Sequence, residues 1–150
     1  MKTCGDCSVC CQGILSFEID GSKVNKNNPC HHLCDGGCSI YKDRPKHPCQ
    51  NYSCIWLNSD GFPDWMRPDK SKVLMTMRDL QLKDKIIYYI ECLLMDDYVD
   101  SKVWESLMGI HTKLGYDLLI ADTNKNISVY GDEKLKEVIS NHFDKSNMMC

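Results

Sequence analysis

Cys4-Gly5-Asp6-Cys7-Ser8-Val9-Cys10-Cys11 opens a stretch that also holds Cys30, Cys34, Cys38, Cys49 and Cys54, so nine of the chain's eleven cysteines fall within its first 54 residues. A Cys-x-x-Cys pair sets two sulfurs on one tight turn, where both reach a single ion about 2.3 Å away and backbone N–H groups can bond the sulfurs. Cys10 extends the pair to a triple, the spacing by which iron–sulfur loops present three thiolates to one cluster. Cys11 follows directly, and side chains of adjacent residues in extended or turn backbone point apart. The Cys10-Cys11 pair therefore indicates two neighbouring metals, or a polynuclear cluster with bridging sulfur.

The second group supplies the remaining ligands. Cys34-x3-Cys38 and Cys49-x4-Cys54 are looser pairs, and Cys30 is followed by His31 and His32. Eight thiolates complete either two four-thiolate zinc sites or one four-iron cluster and one zinc, with one cysteine spare; spacing leaves both open. Cys4, Cys7, Cys10, Cys11, Cys34, Cys38, Cys49 and Cys54 are the expected ligands, with Cys30 or a neighbouring histidine in reserve. Arg44 and Lys46 are expected beside the thiolates, where they offset negative charge.

Disulfides are the competing account. An odd total of eleven suits a complete disulfide framework poorly. The first residues carry no apolar leader and no run of about 18 apolar residues exists, so a reducing, cytoplasmic setting without membrane anchorage is expected. The formal charge of −3 gives no strong nucleic-acid or membrane attraction across the molecule. Residues 1–61 carry six Lys/Arg and six Asp/Glu and are neutral only while the thiols hold their protons. A bound cation would offset the thiolate charge.

At 150 residues, 43 % hydrophobic and 26 % charged, the chain is expected to be a folded α+β domain rather than disordered. Residues 1–61 read as loop-rich, interrupted by glycine and proline, with strand character only at 14–19. Cross-linking by metal would supply what so small a core cannot. Residues 62–150 read as a small, mostly antiparallel sheet with two helices on one face. Strands are predicted at 72–78 and 85–93, joined by 79–84. A helix is predicted from Asp100 or Ser101 to Leu114 with Gly115 past its end, its apolar face made by Val103, Trp104, Leu107, Met108 and Leu114. A hairpin at 116–121 and 126–130 and a helix capped by Asp132, with Leu135, Val138, Ile139 and Phe143 on one face, complete the chain. Residues 144–150 are expected to fray.

Several residues read as structural. Cys92 is expected to be a buried hydrophobe in a strand, and Cys150 to lie on the frayed end. His111 and His142 are expected at the surface, His47 in a loop where, like His31 and His32, it either faces solvent or ligates metal, and Asp6, Asp35 and Asp43 in turns. Trp56, Trp65 and Met66 are expected to pack rather than line a pocket. No nucleophile elbow, phosphate loop, dinucleotide fingerprint or H-E-x-x-H run is present.

Cys4-x2-Cys7-x2-Cys10-Cys11, Cys38-Ser-Ile-Tyr-Lys-Asp-Arg-Pro45 and Cys49-x4-Cys54-Ile-Trp-Leu57, with Trp65-Met-Arg-Pro-Asp-Lys-Ser-Lys-Val73 beyond them, resemble the YkgJ-type cysteine-cluster family, also called the CxxCxxCC or zinc- or iron-chelating domain. The resemblance covers roughly residues 4–78. The chain departs from the pattern where Lys46, His47 and Pro48, three residues rather than two, separate Arg44-Pro45 from Cys49, and where Gln50 replaces the usual arginine. The resemblance implies metal chelation by these nine cysteines, with zinc, iron or a [4Fe-4S] cluster as the group held. The flagellin lysine methylases, a related group, carry a similar cysteine arrangement and an iron–sulfur cluster.

Three functions are thereby in view. The first is a metal-binding cysteine-cluster protein. The second is an iron–sulfur-dependent methyl-transfer or redox enzyme. The third is a zinc-stapled module that binds protein or nucleic acid through an exposed basic or aromatic patch including Tyr41, Tyr52 and Trp56.

Overall fold

The computed structural model describes residues 2–148, with side chains through Asn141. Two compact units divide the chain, Met1–Met75 and Thr76–Cys150.

The first unit is built from hairpins and single turns. Strands β1 (Phe17–Ile19) and β2 (Ser22–Val24) pair antiparallel, Ile19 opposite Ser22. Asp20 and Gly21 join them, with φ of 52° and 79°. Two consecutive positive φ values define the turn whose twist matches a hairpin, and Asp-Gly is the dipeptide that adopts it most readily. Strands β3 (Leu33–Cys34) and β4 (Gly37–Cys38) form a second, shorter hairpin. Helices α1 (Ile55–Asn58) and α2 (Pro68–Ser71) are single turns, so glycine and proline do preclude a long helix here.

With so little regular structure, small cores and polar ties hold the unit. Ile19, Val24 and Cys30 are buried together, with Cys11, Phe17 and Cys49 packed against them. Trp56 and Met66 are buried, and the Trp56 indole N–H donates to Pro63 O at 3.0 Å. Lys2 Nζ donates to the carbonyls of Trp56, Ser59 and Phe62 at 3.2, 2.5 and 2.6 Å, satisfying acceptors that the end of α1 leaves open.

The second unit is a sheet with two helices. Its strands are β5 (Val73–Gln81), which starts in the last residues of the first unit, β6 (Ile86–Leu94), β7 (Asp117–Ala121) and β8 (Ile127–Tyr130), in the order β5-β6-β7-β8. The β5–β6 connection is shorter than the sequence predicts, because Asp79, Leu80 and Gln81 continue the strand. Helix α3 (Ser101–Leu114) joins β6 to β7, which run parallel with Tyr89 opposite Asp117. A parallel pair needs such a crossover, and this pairing makes the sheet mixed. The β7–β8 hairpin is antiparallel, as predicted. Helix α4 (Glu133–Met148) follows.

The ends of α3 match the sequence reading. Asp100 Oδ1 accepts from Lys102 N at 2.9 Å, and Gly115 (φ 76°) closes the last turn. Its buried face is a correction. Val103, Leu107 and Ile110 are buried, whereas Trp104 and Leu114 are 37 % and 65 % exposed. One helical turn of separation puts Val103, Leu107 and Ile110 on one stripe, and Trp104 stands beside it. Cys92 is fully buried in β6, as expected. The expectations for the Phe143 and His142 side chains and for Cys150 fall outside the described residues, whereas α4 continues to Met148 through most of the segment expected to fray. Among the described residues no helix is long and apolar enough to cross a membrane.

Candidate metal centre

Local backbone geometry sorts the cysteines. Cys7 N–H donates to Cys4 O at 2.9 Å, closing the first turn, and Gly5 within it has φ 57°. A 3-10 turn over Val9–Gln12 carries Cys10 and Cys11, with Cys11 N–H bonded to Ser8 O at 2.9 Å. Three residues complete such a turn, so consecutive side chains project about 120° apart. The two adjacent thiols accordingly face different neighbours.

Burial raises the Cys10 thiol, and the next influences on it are the negative charges of Cys54, Cys7 and Cys4, ahead of that of the adjacent Cys11. Burial also raises Cys54, with Cys4 and Cys7 adding to the rise and the N–H groups of Leu57 and Trp56 opposing it. Cys7 is raised by burial against the N–H groups of Val9 and Asp69. Cys4, Cys7, Cys10 and Cys54 therefore form one set.

Cys11 belongs to another. Burial pushes its thiol up to about 12, and Cys38, Cys30 and Cys49 act on it next. Cys49 is raised by burial and then by Cys30 and Cys38, with Arg44 opposing and Asp20 adding a smaller rise. Cys30 N–H donates to Cys11 O at 2.8 Å, which fixes Cys30 beside the 3-10 turn. The second set is Cys11, Cys30, Cys38 and Cys49.

Eight of the nine cysteines singled out in the sequence thus come together as four and four. Cys34 stands apart: it is exposed, and its thiol donates to Gly37 O at 3.3 Å within its own hairpin. Cys30, held in reserve in the sequence reading, falls in the second set, and Cys34 does not. All ten described cysteines are free thiols.

Cations flank both sets. Arg67 grips Asp69 with two hydrogen bonds of 2.6 Å and reaches Asp6, between Cys4 and Cys7, at 2.8 Å. This fork ties the first cysteine turn to α2, and it holds the Asp69 carboxyl below the usual range. Arg44 lies over the Tyr41 ring at 3.9 Å, and Cys4 N–H donates to the Tyr41 hydroxyl at 3.5 Å. The buried Arg44 Nε has no hydrogen-bond partner among the described residues. Lys46, the other cation expected here, is exposed.

The donor set fits a bound metal group. The thiols of Cys7, Cys10, Cys11, Cys49 and Cys54 resist ionisation, and a cation would stabilise the thiolates that burial disfavours. The orphaned Arg44 donor beside Cys49 likewise suits a site that becomes anionic.

Among the described residues, the group of three or more potential ligands whose donor atoms all lie within 4.8 Å of one another is Asp20, His31 and His32.

Sequence reasoning missed the Asp20–His31–His32 group and the Arg67–Asp6–Asp69 tie. Asp20-Gly21 between Phe17-Glu-Ile19 and Ser22-Lys-Val24 was the available hairpin signal for the first. His47 is exposed and outside that group. Trp56 is buried and Tyr41 and Tyr52 are half-buried, so these three do not make the exposed aromatic patch that an interaction module requires. The chain matches no family model, no curated protein and no solved structure.

Proposed function

We propose that this chain is a metal-binding protein of the CxxCxxCC kind, with Cys4, Cys7, Cys10 and Cys54 holding one metal group and Cys11, Cys30, Cys38 and Cys49 a second. The observation that carries the reading is the division of eight half-buried or buried thiols into two sets of four, with Cys10 and Cys11 on opposite sides of it. The order of the cysteines and the Tyr41-Lys-Asp-Arg44-Pro45 element support the family resemblance.

The Cys4-x2-Cys7-x2-Cys10 triple, the spacing by which iron–sulfur loops present three thiolates to one cluster, supports iron–sulfur groups over single zinc ions. Such a group supplies one-electron chemistry when bound. The residues around it bury the sulfurs, direct the N–H groups of Val9, Asp69, Leu57 and Trp56 at them, and place Arg44 beside Cys49. Hydrogen bonds to sulfur and nearby positive charge raise the potential of an iron–sulfur group.

The test is metal and acid-labile sulfide analysis, with an absorption spectrum, on protein purified without oxygen. Iron and sulfide in stoichiometric amounts with absorption near ~400 nm are expected. Cys10→Ser and Cys11→Ser should each lower the metal content, and Cys34→Ser should leave it unchanged. Two zinc ions in colourless protein would retain the two sets and overturn the iron assignment. Freshly purified, folded protein without metal would overturn the proposal.

A further inference from the structure

We propose that Asp20, His31 and His32 form a separate, thiol-free site for one divalent transition-metal cation, with coordination positions open to solvent. Asp20 lies 11 and 12 residues from the adjacent His31 and His32, yet the three donor atoms converge within 4.8 Å.

Each ligand is one or two residues beyond a buried anchor. Asp20 follows Ile19 at the tip of the β1–β2 turn, and His31 and His32 follow Cys30, which is buried in the same small core as Ile19. Leu33 N–H donates to Cys30 O at 3.0 Å, folding the two histidines into a turn, and Ser39 N–H donates to His32 O at 2.9 Å. Adjacent side chains in a strand would diverge. Here the two imidazole centroids are 4.0 Å apart and both rings address one carboxylate.

The distances suit a metal. His32 Nε2 and His31 Nε2 lie 2.7 and 3.2 Å from the same Asp20 Oδ2. Two ligand atoms bound at about 2.1 Å are about 3.0 Å apart when they subtend a right angle and about 3.4 Å at the tetrahedral angle. Both distances to the carboxylate oxygen therefore lie within a few tenths of an ångström of those of bound ligands.

Ligand chemistry selects the ion. Two imidazoles and one carboxylate suit zinc, ferrous iron, cobalt or nickel, and they lack the oxygen count that calcium or magnesium requires. Three protein ligands leave at least one position for water or substrate, the pattern of reactive rather than closed metal sites. The side chains of His31, His32 and Asp20 are 47, 20 and 58 % exposed, so an ion has a direct path in from solvent. The inference does not depend on which metal the cysteines hold.

The experiment titrates Co2+ into protein whose cysteine groups are occupied as isolated, reading binding by calorimetry and by the visible spectrum. One additional equivalent is expected, with weak ligand-field bands and no intense thiolate-to-cobalt charge-transfer band. Asp20→Asn preserves the turn, because asparagine also tolerates positive φ. It and His32→Gln should each weaken this binding by more than about tenfold, as expected for loss of a direct ligand. The metal content of the cysteine groups should be unchanged in both variants, and His47→Gln should bind Co2+ as wild type does. Undiminished binding in both variants, or no additional equivalent in the wild type, would overturn the site. Loss of cysteine-bound metal in Asp20→Asn would overturn its separateness, since the trio would then belong to the second cysteine set.

Discussion

Replacing Gly13 with alanine should unfold the cysteine half more readily than any other glycine substitution of equal size. Gly13 ends the 3-10 turn that carries Cys10 and Cys11, at φ 92°, and a Cβ placed there would stand 2.0 Å from Asn25 O and 2.4 Å from Asn25 C. Both neighbours are backbone, so neither can rotate away. Relief requires the turn and the segment after β2 to separate by more than an ångström. A left-handed backbone costs a non-glycine residue about 1–2 kcal/mol, and an overpacking displacement costs about 1–3 kcal/mol more.

The expected loss is therefore about 2–5 kcal/mol. Gly21→Ala is the control, because Gly21 shares a positive φ of 79° and has nothing within 4 Å of the added methyl. It should lose only the first of these contributions, about 1–2 kcal/mol. Denaturant unfolding of both variants, purified in parallel with their metal contents measured, separates the clash from the backbone cost. If the two sets hold metal as proposed, Gly13→Ala should also release it from both, since it displaces one cysteine of each. Equal stability of the two variants, or a Gly13→Ala loss under about 0.5 kcal/mol, would refute the close approach.

Three further outcomes follow from the structure. Leu107→Ala should cost about 2–5 kcal/mol and Trp104→Ala clearly less, despite the larger side chain, because Leu107 is fully buried and Trp104 is 37 % exposed; the reverse order in chemical denaturation would overturn the assignment of the α3 core face. Asp132 caps α4 through Lys134 N and pairs with Lys85, and these contacts hold its carboxyl below the usual carboxylate value. Its contribution is present above about pH 4 and lost as pH falls through the lowered folded value, so Asp132→Asn should flatten the acid limb of the stability–pH curve, and superimposable limbs would contradict this. In limited alkylation of the metal-loaded protein followed by mass spectrometry, exposed Cys34 should be modified first and Cys92 last. The Cys92 thiol is fully buried and pushed up to about 12 by that burial, so early labelling at Cys92 would mean that β6 opens readily.

Where local rules decide structure, the chain was legible. Asp100, Gly115 and Asp132 mark helix ends because caps act through one or two backbone groups, and the β7–β8 hairpin follows from two apolar runs around a polar turn. Where distant segments decide, it was not. The parallel β6–β7 pairing depends on how α3 crosses back, and apolar spacing alone placed Trp104 inside. Cys10 and Cys11 were separable in the sequence because adjacency itself forces divergence. Choosing Cys30 over Cys34 was not, because the hydrogen bond from Cys30 N to Cys11 O spans the whole first hairpin. The convergence of Asp20 with His31 and His32 was hidden for the same reason.

The single 3-10 turn shared by the two cysteine sets has a consequence for assembly. Consecutive Cα atoms are about 3.8 Å apart with a rigid peptide plane between them. In a protein carrying metal on both sets, fixing Cys10 in the first also fixes the backbone of Cys11 for the second. The ordering entropy of that turn is then lost once rather than twice, and the second loading event is favoured by the first. Half-loaded protein becomes the scarce species, and the two groups fill and empty together.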